Sequence, residues 1–218
     1  MSFAKNSVQQ LSFNDSLLTL TPREKRFLEK SWAHAFRENV FPKINEDMFS
    51  ILYTSLAAPN APINVLVGGL ILKEALSLSD SELVDCLMFD IRFQYALRTT
   101  SFQEQPLSES TLNRFRARVL SWEKKSGQNL IAACIDNFRE DLDACLRQIS
   151  PKRKLDSKAI ERRIHDLSEA EFYTEQSRNL YLASLNLKQL SGQTLTTEEE
   201  SVLKLLEPLP EPVNQPDL

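Results

Sequence analysis

Glycine is scarce in this chain, with 4 among 218 residues. Tight turns and hairpins draw heavily on glycine, so its scarcity excludes a fold of many short strands and points to long helices. Histidine is scarcer still: His34 and His165 stand far apart, and no zinc spacing can be built from them and the cysteines. The cysteines, Cys86, Cys134 and Cys145, are odd in number and each falls on or near an apolar helical face. That pattern excludes a disulfide framework and reads as buried free thiols in a reducing cytoplasm. Long apolar runs are missing. The longest, Val65–Leu72, is far short of the roughly 20 residues a membrane helix needs, and no N-terminal signal pattern is present. A cytoplasmic protein with no membrane partner is expected. Net positive charge is missing too: the balance is −4 with a pI near 5.4, which counts against a uniformly basic nucleic-acid binder.

What is present is ordinary in amount and uneven in placement. The hydrophobic fraction is 42% and the charged fraction 26%, values of a globular protein, and the length suits one large or two small domains. Arg114, Arg116, Arg118, Lys124 and Lys125 form one basic block, and Lys152, Arg153, Lys154, Lys158, Arg162 and Arg163 a second. Acidic residues gather elsewhere, at Asp141 and Asp143 and at Glu198, Glu199 and Glu200.

Apolar spacing at three and four residues marks helices along most of the chain. Leu17, Leu18 and Leu20 supply an early apolar strip. Thr21-Pro22-Arg23-Glu24 is a helix start, with a Thr cap, Pro at the first helical position and Glu three residues after the cap. Phe27, Leu28, Ala35 and Phe36 follow as one pattern up to Pro42. Met48, Ile51, Leu52 and Leu56 predict another helix, closed by Pro59-Asn60-Ala61-Pro62. Beyond Gly127, the residues Ile131, Cys134, Ile135, Phe138, Leu142, Cys145, Leu146 and Ile149 make one sustained stripe, read as a single helix packed across the preceding bundle and ended by Ser150-Pro151.

The centre of the chain is the stretch 62–119. Ile63, Leu66, Val67, Leu70, Ile71, Ala75 and Leu78 give the first of three helical patterns, and the Gly68-Gly69 pair within it predicts close approach by a neighbouring helix backbone. Ser79-Asp80-Ser81-Glu82 fits a capping box ahead of Leu83, Val84, Leu87, Met88 and Ile91. The third pattern follows Pro106 with Ser108 as its N-cap. Leu112, Phe115, Val119 and Trp122 share one face; at 100° per residue Asn113, Arg114, Ala117, Ser121, Lys124 and Lys125 share the other, with Arg118 on the flank. Arg116 falls toward the apolar side, so it is expected to snorkel or to pair. A capped helix with a basic outer face, following another helix and a turn, has the outline of a helix-turn-helix unit; on pattern alone it is more often the outline of a solvated basic face.

The wording of this stretch carries a resemblance. The sequence 62–97 followed by Gln105-Pro106-Leu107-Ser108-Glu109-Ser110-Thr111-Leu112-Asn113-Arg114-Phe115-Arg116-Ala117-Arg118-Val119 resembles the InsH-type N-terminal domain of bacterial insertion-sequence DDE transposases. The resemblance begins at Phe13-Asn14-Asp15-Ser16-Leu17-Leu18, continues through Lys30-Ser31-Trp32-Ala33, and extends to Lys154-Leu155-Asp156-Ser157. It implies a protein of DNA transposition that binds the terminal inverted repeats of an element. The resemblance and the helix projection together give the candidate DNA contacts: Ser110, Asn113 and Arg114 nearest the base edges, and Arg118, Lys124 and Lys125 on the phosphates.

In the resembled family Lys152–Ser157 is where an RNase-H-like catalytic domain opens, on a short strand bearing the first acidic residue of a triad. Asp156 occupies that position and is the candidate catalytic and metal-binding residue; the same carboxylate reads otherwise as a helix cap. The family chemistry implies Mg²⁺ held by several carboxylates. The chain departs from the family after Ser157, with Lys158-Ala159-Ile160-Glu161-Arg162-Arg163, and only 62 residues follow Asp156, up to and including Leu218. Phe172, Leu180, Leu182, Leu185 and Leu187 continue as helix, and the Thr-Thr-Glu-Glu-Glu run at 196–200 fits another capping box.

These readings give an all-α fold: a multi-helix bundle with a helix-turn-helix-like unit, followed by a partial, mostly helical C-terminal segment. The expected divisions are a helical DNA-binding domain at 1–150, a remnant of the start of an RNase-H-like domain at 151–207, and a disordered Pro-rich tail at 208–218. The function implied is that of the DNA-binding part of a DDE transposase, catalytically incomplete as this chain and needing no cofactor of its own, with double-stranded transposon ends as partner and a homodimer or full-length transposase as possible associates. Two other readings remain open: a fragment that modulates full-length transposase through mixed oligomers, and an intact metal-dependent nuclease.

Overall fold

The computed structural model describes residues 2–6, 15–53, 59–191, 194–197 and 199–200. The chain divides into two compact units, Met1–Glu169 and Ala170–Leu218. Among the described residues the helices are α1 (Pro22–Glu29), α2 (Trp32–Asn39), α3 (Ile63–Leu76), α4 (Asp80–Phe89), α5 (Ile91–Ala96), α6 (Glu109–Ser126), α7 (Leu130–Asp136), α8 (Arg139–Ile149) and α9 (Ser157–Leu190), with 3₁₀ turns at Ser16–Thr19, Phe41–Lys43 and Glu46–Leu52. The only extended pairing among them is an isolated bridge between Ser2 and Pro59. The expected all-α architecture is therefore what forms. No helix among the described residues is long and apolar enough to cross a membrane.

The first unit is built around α3. Eleven of its 14 residues are buried, including Val65, Leu66, Val67, Leu70, Ile71 and Leu72. Burying each such aliphatic side chain contributes about 1.5–3 kcal/mol, so α3 is the central staff of the core. The Gly68-Gly69 pair is closely approached, but by side chains and not by a helix backbone. A Cβ on Gly68 would lie 2.6 Å from Leu97 Cδ2, and one on Gly69 would lie 3.2 Å from Leu107 Cδ1. Around α3 stand Phe36, Phe41, Ile44 and Phe49 from the N-terminal part, Leu83 and Leu87 from α4, and Leu112, Phe115 and Val119 from α6. Cys134, Ile135, Phe138, Leu142 and Leu146 from α7 and α8, with Ile160 and Ile164 from α9, belong to the same core.

The predicted starts hold in detail. Thr21 accepts from Glu24 N while Glu24 accepts from Thr21 N, completing a capping box with Pro22 at the first helical position. Ser79 and Glu82 make the same reciprocal pair at α4, and Ser108 Oγ accepts from Thr111 N at 3.3 Å to start α6. The Ser79 bonds hold the Glu82 carboxyl below its ordinary range.

Two expected single patterns are each broken in two. The run from Phe27 to Phe36 is interrupted at Lys30-Ser31, where Ser31 Oγ accepts from Ala33 N and starts α2. The stripe from Ile131 to Ile149 is two helices, because Phe138 leaves helical geometry at φ −141°, ψ 25° and seats its ring in the core. The Met48–Leu52 segment is a 3₁₀ turn capped by Asn45; Leu56 lies outside the described residues.

The connection after α4 becomes the short helix α5, whose Phe93 packs edge-on against Trp32 at 5.4 Å between ring centroids. Residues 97–108 then lead into α6, a longer link than the roughly three- or four-residue turn of a helix-turn-helix.

The second unit holds the remainder of α9 and the start of a further turn. Thr196 Oγ1 accepts from Glu199 N at 3.2 Å and Thr196 N donates to Glu199 Oε2 at 3.0 Å, the capping box read in the sequence. The apolar positions Val202, Leu203, Leu205 and Leu206 and the expected tail at 208–218 lie outside the described residues.

Candidate nucleic-acid interface

The amphipathic pattern of α6 sorts its cations into two sets. Leu112, Phe115, Val119 and Leu120 are buried, which fixes the helix's rotation and turns Ser110, Asn113, Arg114, Lys124 and Lys125 to solvent. Arg116 is turned the other way and has no exposed surface. Its guanidinium is held by the Asp80 carboxylate, one bond at 3.2 Å and a second, shorter one from Nη2. Asp80 also lies 3.5 Å from Lys73 Nζ, and Lys73 pairs with Glu74 at 2.9 Å. This buried knot ties α3, α4 and α6 together at one point. The pairing expected of Arg116 is present; Lys73 was missed, because in the sequence it is one lysine near the end of an apolar helix.

The candidate contacts differ in how free they are. Arg114 is exposed, and its guanidinium makes a long hydrogen bond, 3.4 Å from Nη2 to Ser110 Oγ. Ser110 also bonds with the cap hydroxyl of Ser108 at 3.1 Å. Asn113 is exposed, and its Oδ1 accepts from the buried Arg116. Arg118 is half-buried with its guanidinium carbon 5.3 Å from the Tyr53 ring centroid. Burial pushes the Tyr53 hydroxyl up in pKa, and the charge of Arg118 acts against that rise. Lys124 lies 3.6 Å from Glu169. Lys125 is exposed and, with Arg118, Ser121 and Trp122, lines an open groove of about 320 Å³ floored by Ile51, Leu52 and Ala117.

The second basic block is divided in use. Arg153 donates to Ser77 Oγ and Arg163 to the Glu74 carbonyl at 3.3 Å, which puts two cations at the carboxyl end of α3 where the helix dipole favours them. Ser77 there adopts a left-handed conformation, φ 56°. Lys152, Lys154, Lys158 and Arg162 remain exposed.

Asp156 stands immediately before α9. Its Oδ1 accepts from Ala159 N at 2.8 Å and its carbonyl from Ile160 N at 3.1 Å, the geometry of an N-cap. Among the described residues no three of His, Cys, Asp and Glu come together as a metal site. The described donor set therefore does not fit the carboxylate clamp that the resemblance implies.

Comparison with known families adds one finding. Residues 25–118, from the first turn of α1 to the middle of α6, match the family model described as Transposase domain (DUF772). The match supports a transposase family for this part of the chain and with it a role in transposition. No curated protein and no solved structure matches the chain.

Proposed function

We propose that the chain is the DNA-binding part of a DDE transposase and recognises the terminal inverted repeats of an insertion sequence. The observation that carries this reading is the sorting of charge on α6. Arg116 is drawn inward to Asp80, while Arg114 and Lys125 stand outward on a helix whose rotation is locked by the core. Arg114 is placed in the first half of α6, where recognition helices approach base edges, and a guanidinium is the side chain that pairs bidentately with guanine. Asn113 reads less than its sequence position promised. Bidentate pairing with adenine needs both amide atoms, and its oxygen already accepts one bond from Arg116, which restricts how the amide can turn toward a base. Arg118, Lys124 and Lys125 serve the phosphates, with Lys125 the most available of the three. The net charge of −4 is compatible with this because binding depends on the local field and not on the total.

The test is a salt-titrated binding assay on the inverted repeats that flank the coding sequence and on scrambled duplex. Wild-type chain binds the repeats more tightly than scrambled DNA, and Arg114→Ala narrows that gap. Equal affinity of Arg114→Ala and wild type on both duplexes would show that α6 is a solvated basic face and not a reader.

A further inference from the structure

The outer face of α1 is used by nothing described above. Leu28 is the only buried residue of this helix. At 100° per residue Arg23, Arg26 and the C-cap residue Lys30 fall within about 40° of the side opposite Leu28, and Phe27 lies on the adjoining flank. These four side chains line an open depression of about 300 Å³. Phe27 is 64% exposed, and the Arg23 guanidinium carbon lies 5.8 Å from its ring centroid.

Among the described residues no salt bridge forms on this face. Glu24 is committed to the helix cap, accepting from Thr21 N at 2.7 Å and Thr21 Oγ1 at 2.8 Å. Glu29 projects to a flank roughly 110° from the centre of the face. Neither Arg26 nor Lys30 has an acidic partner among the described residues. Exposed cations are common and so is a lone exposed phenylalanine. A phenyl ring framed by three cations, on a chain with a charge of −4, is a narrower arrangement. It offers an apolar flat surface and a local positive field in one place. The partner that supplies both complements is a nucleic-acid strand with an unpaired base: its phosphates meet the cations and its base lies on the ring. Paired duplex offers the phosphates but keeps its bases stacked inside. From Arg23 to Lys30 the helix rises about 10 Å.

We propose that this face of α1 binds an unpaired stretch of nucleic-acid strand, with Phe27 stacking on one base and Arg23, Arg26 and Lys30 meeting the flanking phosphates. The site shares a class of partner with α6 but none of its residues, so either reading can fail without the other.

The experiment uses the full chain and fluorescence anisotropy on two probes: a labelled thymidine strand of roughly 15 nucleotides, long enough to overhang the face at both ends, and a scrambled duplex of equal length. Phe27→Ala weakens strand binding about tenfold or more and leaves the duplex affinity unchanged, while Phe27→Trp restores strand binding. Arg26→Ala with Lys30→Ala reduces the salt slope on the strand by about 1.4. Thermal melts of all variants match wild type, because Leu28 carries the packing of this helix. The proposal is overturned if wild-type chain does not bind the strand, if Phe27→Ala binds it as wild type does, or if Phe27→Ala weakens strand and duplex alike.

Discussion

Arg116 and Asp80, 36 residues apart, form a charge pair in which the guanidinium has no exposed surface and the carboxylate side chain retains 15%. The pair joins the first turn of α4 to the middle of the helix whose opposite face carries the candidate DNA contacts. A buried ion pair of this kind is weak evidence for net stability, but breaking it on one side is costly because the surviving charge stays buried. The pair links α4 to α6 at this point.

Asp80→Ala is expected to lose about 3–5 kcal/mol, since Arg116 and Lys73 both lose their shared carboxylate. Chemical denaturation measures it. Replacing Asp80 by Leu and Arg116 by Met together should recover most of the loss, giving a large coupling energy in a double-mutant cycle. Additive losses would show that the two residues stabilise the fold independently.

On DNA, Arg114→Ala is expected to cost about 1–3 kcal/mol on the inverted repeat and to relax specificity there. Lys125→Ala should weaken every sequence alike and lower the salt slope by about one. Neither residue touches the core, so both variants should melt as wild type does. Anisotropy titrations at several salt concentrations separate the two effects.

Gly68→Ala tests the packing of α3. Alanine is favoured over glycine in a helix by about 1 kcal/mol, yet here its Cβ would stand 2.6 Å from Leu97 Cδ2, with Phe41 at 3.4 Å and Ile44 at 3.5 Å behind it. Overpacking of this kind costs about 1–3 kcal/mol, so the balance is expected to be unfavourable and to appear as a lower Tm. Gly127→Ala is expected to be unfavourable for another reason: nothing crowds the site, but φ is +74°.

The thiols give a pH prediction. Burial pushes Cys134 up to about 11 and Cys145 up to about 12 from an ordinary value of 9.0. Because the folded values are raised, the stability linked to these neutral thiols is complete below the ordinary value. It is lost as pH rises from there through the folded values. Tm should fall between about pH 8 and pH 10.5, and less so in Cys134→Ala/Cys145→Ala. In the native protein at neutral pH, a thiol reagent should modify only the half-buried Cys86.

Local signals were the legible part of the fold. Thr21 with Glu24, Ser79 with Glu82, and Ser108 each announced a helix start through a bond that closes within three residues. The breaks at Ser31 and Phe138 were not legible, because apolar spacing reports which face is buried and continues across a change of helix direction. Of the candidate interface, the outward set on α6 could be projected from residue spacing alone. That Asn113 would lend its oxygen to Arg116, and that Asp80 would serve both Arg116 and Lys73, depends on helices meeting in three dimensions. No pattern within a single helix contains that information.

The single anchor of α1 has a further consequence for hydrogen exchange. With Leu28 as its only buried residue, α1 can open without disturbing the apolar centre, whereas α3, buried along nearly its whole length, opens only when the domain does. Amide protons of α1 are therefore expected to exchange orders of magnitude faster than those of α3. A helix so lightly fastened can re-aim Arg23, Phe27 and Lys30 while the rest of the unit keeps its protection.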